Sequence, residues 1–144
     1  MPEMKKFNAK EYARQQFYRF PKWLAHDERY KDLSVSAKYL YMFLCDRHEL
    51  SMKNEWIDSK GDIYFIFRRA EMQELLQCGV HHPSECMNEL KKFKLVREVR
   101  VGLNQPNRLY LLEPEEISIE PSNPHNQRMY GIRTSRSTES VLLV

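Results

Sequence analysis

FIFRRAEMQELLQCGVHHPSECMNELKKFKLVREVRVGLNQPNRLYLL, residues 65–112, decides the fold of this chain. Its first part predicts a helix that opens at Arg68-Arg69, carries Met72, Leu75 and Leu76 inward, and is broken by Gly79. A second helix begins at Pro83, a residue that suits a first helical position because its missing amide would be unpaired there anyway. Cys86, Met87, Leu90 and Phe93 recur at helical spacing and form its apolar stripe. From Leu95 to Val101 apolar and charged residues alternate, which is the period of a half-buried strand. Gly102-Leu103-Asn104-Gln105-Pro106-Asn107 supplies turn residues, and Arg108 to Leu112 returns as a second strand. Helix, turn, helix and hairpin in this order define a winged helix-turn-helix, an α+β, mainly α fold that presents its second helix to a DNA major groove.

The rest of the chain frames that unit. Residues 1–16 are polar and basic with scattered aromatics and read as an N-terminal arm or a short helix. Phe17 to Phe20 is a strand candidate ended by Pro21, and Lys22 to His26 suits one helical turn. Ser34 or Ser36 is a suitable N-cap for the longest helix, which is expected to run to about Leu50. Leu33, Ala37, Leu40, Tyr41, Leu44 and His48 form one stripe of it, yet Tyr39 to Cys45 is apolar on every side. Such a helix is buried on more than one face, against the N-terminal segment or against another subunit. Tyr39, Met42 and Phe43 are therefore the candidate dimer contacts. Trp56-Ile57 and Ile63 to Phe67 flank Asp58-Ser59-Lys60-Gly61-Asp62 and suggest a hairpin. The winged-helix domain is thus expected over 17–113, with an extra helix and hairpin region before the helix-turn-helix. Residues 114–144 read as a linker or flexible tail, and the terminal Val141-Leu142-Leu143-Val144 as the start of a further element.

Charge distribution points the same way as the pattern. The net charge is only +3 over 144 residues, but Lys91 to Arg108 holds six basic residues against one acid, Glu98. Glu113 to Glu120 holds four acids and no base. Positive charge is therefore concentrated on the second helix and the hairpin, where DNA phosphates would be neutralised. On the outward face of the second helix, His81, His82, Ser84, Glu85 and Asn88 are the candidates to reach base edges, because asparagine pairs with adenine and glutamate accepts from cytosine. Lys91 and Lys92 are set for phosphate. So are Arg97 and Arg100, while the hairpin residues Asn104, Gln105, Asn107 and Arg108 can reach phosphate or an adjacent minor groove. Arg68 and Arg69 sit at a helix start, where the dipole disfavours cations unless they face an anion. The competing interpretation of these polar residues is an ordinary solvated surface.

Other chemistry is poorly supported. The spacing Cys78-x2-His81-His82-x3-Cys86 is not a standard zinc pattern, and both cysteines fall where the helices want small apolar residues, so no metal or cofactor is expected. There is no phosphate loop, nucleophile elbow or catalytic carboxylate pair, and the chain is expected not to be an enzyme. Asp46 and His48 suit capping or surface roles. An odd number of cysteines, with neither a signal peptide nor a membrane-spanning run, suggests a reduced, cytoplasmic protein.

From Phe20-Pro21-Lys22 and Tyr30-Lys31-Asp32-Leu33-Ser34 through Trp56-Ile57-Asp58 to Pro106-Asn107-Arg108-Leu109-Tyr110, motifs along the chain resemble the RepA-N family of plasmid replication initiators. They include Phe20-Pro21-Lys22, Tyr30-Lys31-Asp32-Leu33-Ser34, Ala37-Lys38, the helix from Leu40 to Leu44, Asp46-Arg47, Leu50-Ser51 and Lys53-Asn54. Trp56-Ile57-Asp58, Glu74-Leu75-Leu76-Gln77-Cys78, Glu89-Leu90, Gly102-Leu103 and Pro106-Asn107-Arg108-Leu109-Tyr110 continue the series. The resemblance covers about residues 17–112 in order and spacing. It implies a winged-helix domain that binds repeated double-stranded sites at a plasmid origin, dimerises through this domain, and serves low-GC Gram-positive bacteria. It also implies a separate C-terminal domain that recruits host replication proteins, which would make this chain an N-terminal fragment or a short member. Family members commonly carry Lys, Asn and Thr where this chain has Val80, His81 and His82, a Lys at Glu85 and a Thr at Arg68. These departures fall on the expected DNA face and bear on the target sequence. A transcriptional regulator, or a winged helix that binds protein rather than specific DNA, remain the alternatives.

Overall fold

In a computed structural model, residues 3–115 are described; the expectations for most of the tail, Val141 to Val144 included, lie outside them. The chain forms helix α1 (Ala9–Ala13), helix α2 (Lys22–His26), a 3-10 turn (Glu28–Tyr30), helix α3 (Val35–Lys53), helix α4 (Arg69–Leu76), helix α5 (His82–Lys92), and strands β1 (Val96–Val99) and β2 (Arg108–Leu111). The winged-helix expectation holds: a mainly helical body carries a small antiparallel sheet.

Helix α3 is the scaffold. Ser34 caps it, its Oγ accepting the Ala37 amide at 3.1 Å. The Ser34 amide and hydroxyl in turn donate to the Glu89 carboxylate of α5 at 2.9 and 2.7 Å. An anion is thus placed at the start of α3, where the helix dipole favours it. Ala37, Leu40, Tyr41, Phe43 and Leu44 are all buried, so the all-round apolar stretch is covered on more than one side. Helices α4 and α5 cover one side. The chain's own N-terminal segment contributes to the other, with Trp23 edge-on to Tyr41 and Tyr18 edge-on to Phe43.

Helix α5 forms where the apolar spacing predicted it and buries Pro83, Cys86, Met87 and Leu90. It starts one residue earlier than expected, at His82, with Pro83 still inside the first turn that needs no amide. Lys94 adopts φ +59° just past its end, and the Leu95 amide reaches back to the Leu90 carbonyl at 2.9 Å. That closure swings the chain directly into β1. Strands β1 and β2 pair with Val96 opposite Leu111 and Val99 opposite Arg108. The hydrophobic core lies between α3, α4, α5 and this sheet, around Leu40, Leu44, Phe65, Met72, Met87, Leu90, Leu95 and Leu109.

Three local expectations need correction. Phe17 to Phe20 is not a strand: its residues are exposed, and no sheet edge lies beside them for pairing. The hairpin over 56–67 reduces to a single bridge, Ile57 to Ile63, because Phe65 exchanges both of its hydrogen bonds with Leu109 instead, at 3.0 and 2.8 Å. That second bridge attaches a third extended segment to the wing. Finally, α4 is stopped by Gln77, which takes the left-handed conformation at φ +52°, and not by Gly79.

Candidate nucleic-acid interface

The sequence-predicted contact residues fall at the start of α4, on α5 and on the wing that follows it. Along α5, buried Cys86, Met87 and Leu90 fix the rotation of the helix. His81, Glu85, Asn88, Lys91 and Lys92 are left exposed. His82 is half-buried, with Nδ1 3.4 Å from the Glu85 carboxylate and Nε2 3.7 Å from the Cys86 sulfur. Lys91 and Lys92 occupy the last turn, where they also complement the helix dipole. Ser84 is half-buried and turned toward α4, its Oγ accepting from Arg69 Nε at 3.1 Å.

On the wing, Arg97 and Arg100 are exposed, as are Asn104, Gln105 and Asn107 in the connecting turn. Asn104 holds φ +59°, a conformation that asparagine tolerates better than most side chains. Arg108 is half-buried, and its guanidinium lies 4.1 Å over the Tyr64 ring. The neighbouring Tyr110 hydroxyl donates to Asp58 at 2.9 Å. Asp58 in turn accepts the Lys60 and Asp62 amides, shaping the loop that Gly61 turns at φ +88°. Those backbone bonds hold the Asp58 carboxyl below its usual range. Arg108 is thus braced from beneath by a loop that the sequence reading treated only as a hairpin turn.

The centre of the site is Glu98. Strand alternation places it on the same face as buried Val96, toward the helices. Its carboxylate accepts from Arg69 of α4 at 2.8 Å, pairs with Lys91 of α5 at 2.6 Å, and accepts from Asn107 of the wing turn at 3.1 Å. Burial pushes its carboxyl up, but these donors outweigh burial and bring it down to about 2. The anion that Arg69 was expected to face is therefore the protein's own. Arg68, by contrast, stays exposed while its amide donates to Glu71 at 3.0 Å. Sequence reasoning noted Glu98 only as the single acid in a basic run. Its isolation among six cations, together with its inward register beside Val96, is the signal that marks it as a hub.

Cys86 does not build a metal site with its neighbours. Burial pushes its thiol up to about 11, and among the described residues no group of three or more histidine, cysteine or carboxylate side chains is arranged to hold a metal. Of the candidate dimer contacts, Tyr39 is exposed, Met42 is half-buried, and Phe43 is 5% exposed beneath Tyr18 and Tyr39. Among the described residues no helix is long and apolar enough to cross a membrane.

A helix-turn-helix whose second helix runs straight into a basic antiparallel wing is the architecture of winged-helix proteins. The chain belongs to the family described as replication initiator protein A (RepA) N-terminus, whose model matches residues 16–124. It is 30% identical over 118 residues to a "41 kDa protein" of Lactobacillus helveticus, a match spanning 78% of this chain and 33% of that protein. The chain thus spans about a third of the length of that curated relative. Three solved structures are similar. The first, "N-Terminal domain of DNA binding protein", has a TM-score of 0.68 at 30% identity, covering 92% of this chain and 98% of the other. "Structure of Rep-DNA complex" has 0.66 at 33%, covering 94% and 98%, and "Structure of MDR initiator" has 0.63 at 35%, covering 88% and 98%.

Proposed function

We propose that this chain is the sequence-specific double-stranded DNA-binding part of a plasmid replication initiator, which recognises repeated sites at an origin in the cytoplasm and has no catalytic role. The observation that carries this reading is the exposure of Glu85, Asn88 and Lys92 on α5, followed directly in the chain by a wing that bears Arg97, Arg100 and Arg108. Family membership and likeness to a structure described as a Rep-DNA complex support it. In this reading, α5 enters the major groove, with His81, Glu85 and Asn88 at base edges. Lys92 and the wing arginines meet phosphate and set register without carrying sequence information.

The same reading assigns the protein a homodimeric state, supported by the exposed aromatic residues Phe17, Tyr18, Phe20 and Tyr39 around α3. Two copies would match the repetition of origin sites. Recruitment of host replication proteins belongs, in this proposal, to a separate domain of the whole initiator.

Fluorescence anisotropy tests the proposal with two duplexes of equal length, one bearing the repeats beside the encoding gene and the other scrambled, each at several salt concentrations. Strong preference for the repeats is expected. Equal, weak binding to both would favour a winged helix that binds protein, a reading to which exposed Glu85 and the internal pairing of Arg69 and Lys91 lend some weight.

A further inference from the structure

The geometry points to Glu98 as a positioning residue that occupies, with its own carboxylate, the place a DNA phosphate would take between Arg69 and Lys91, and so limits the backbone affinity of the interface. Arg69 comes from α4, Lys91 from α5 and Asn107 from the wing turn, and all three converge on one carboxylate. Among the described residues no other side chain joins these three elements by hydrogen bonds or ion pairs. The Glu98 side chain is 11% exposed, whereas those of Arg69 and Lys91 are 34% and 37% exposed. The cations therefore reach solvent, while the acid that holds them lies beneath. Positive charges held this way are counted by composition but are not free to displace counterions from DNA.

The consequence is a property of the whole interface. Binding strength to any duplex is set largely by the number of phosphates neutralised, and each lowers the logarithm of affinity by about 0.9 per logarithmic unit of salt. Tying up Arg69 and Lys91 removes up to two such contacts. It restrains the sequence-independent component while leaving the base-facing part of α5 untouched. This inference rests on the DNA-binding reading above.

The test is the salt dependence of binding for the intact chain and for Glu98→Gln on the scrambled duplex, with thermal unfolding of each protein as a check on folding. Release of one or two cations should steepen the slope by about 0.9 to 1.8 and raise affinity about tenfold per released cation at 0.1 M salt. A folded Glu98→Gln protein whose slope is unchanged or shallower overturns the proposal. A bridge of purely structural value would alter the melting temperature and not the slope in that direction. Should Glu98→Gln fail to fold, Lys91→Met and Lys92→Met supply the comparison. Lys92→Met should lower the slope by about 0.9 and Lys91→Met by less than half of that; equal losses overturn the proposal. If the unaltered chain binds neither duplex, the DNA-binding reading fails and this inference fails with it. Binding with an unaltered slope in the variant removes this inference alone.

Discussion

Glu98 keeps its charge at a pH where most carboxylates are protonated, because Arg69, Lys91 and Asn107 all donate to it or pair with it. A carboxyl whose folded value lies below its ordinary 4.5 stabilises the fold above that pH and loses the contribution as pH falls toward about 2. Discounted for the partly exposed partners, the contribution is about 2 kcal/mol. Chemical denaturation of the native chain should therefore show a loss of stability between pH 4.5 and 2. Glu98→Gln should flatten that part of the profile, and an unchanged profile would remove Glu98 as its cause. Two other residues separate the kinds of DNA contact. Arg108→Ala should weaken binding to every duplex several-fold, since a phosphate contact carries no sequence information. Asn88→Ala should instead redistribute preference among sequences, by about 1–3 kcal/mol at one base pair. Anisotropy on a panel of single-base variants reads both. Arg108 was legible in the sequence as a basic residue at a turn. Its support was not, because Tyr64 and Asp58 are brought to it only by tertiary folding.

At the scale of elements, what was legible depended on whether the deciding interaction was local. Helices α3 and α5 could be read from spacing, Ser34 and Pro83 because their caps and apolar stripes lie within the element itself. Phe17 to Phe20 was misjudged because a strand exists only beside a partner, and the hairpin over 56–67 forms only near its turn, at Ile57 and Ile63, because the partner chosen by Phe65 is Leu109. The end of α4 was misplaced by the habit of assigning left-handed turns to glycine; here Gln77 takes that conformation. Relieving it has a predictable sign. Gln77→Gly should stabilise the domain by up to about 1 kcal/mol, visible as a melting temperature several degrees higher. A lower melting temperature would mean that the Gln77 side chain contributes more than its backbone costs. Ser34→Ala should act in the opposite sense, costing about 1–2 kcal/mol, because it removes the cap of α3 and the hydroxyl that donates to Glu89. If Ser34→Ala melts with the native chain, the cap is not a source of stability.

Across the whole molecule, the exposed aromatic residues Phe17, Tyr18, Phe20 and Tyr39 belong to α3 and the segment before it, whereas the residues assigned to DNA belong to α5 and the wing. The proposed pairing of two copies therefore uses surface that the DNA reading leaves free. Sedimentation at increasing concentration should show a dimer, and Tyr39→Glu, at a side chain 46% exposed, should shift it to a monomer that still unfolds cooperatively. A native chain that remains monomeric at high concentration ends that part of the reading.

The bridge between Phe65 and Leu109 also constrains the order of assembly. Both side chains are fully buried, and the helix-turn-helix lies entirely between them in sequence. Joining the ends of so long a segment costs roughly 3 kcal/mol of chain entropy before any contact repays it. The finished charge of this surface thus depends on contacts distant in sequence, because the strand that sets Glu98 against Arg69 and Lys91 pairs with Leu109, which in turn pairs with Phe65.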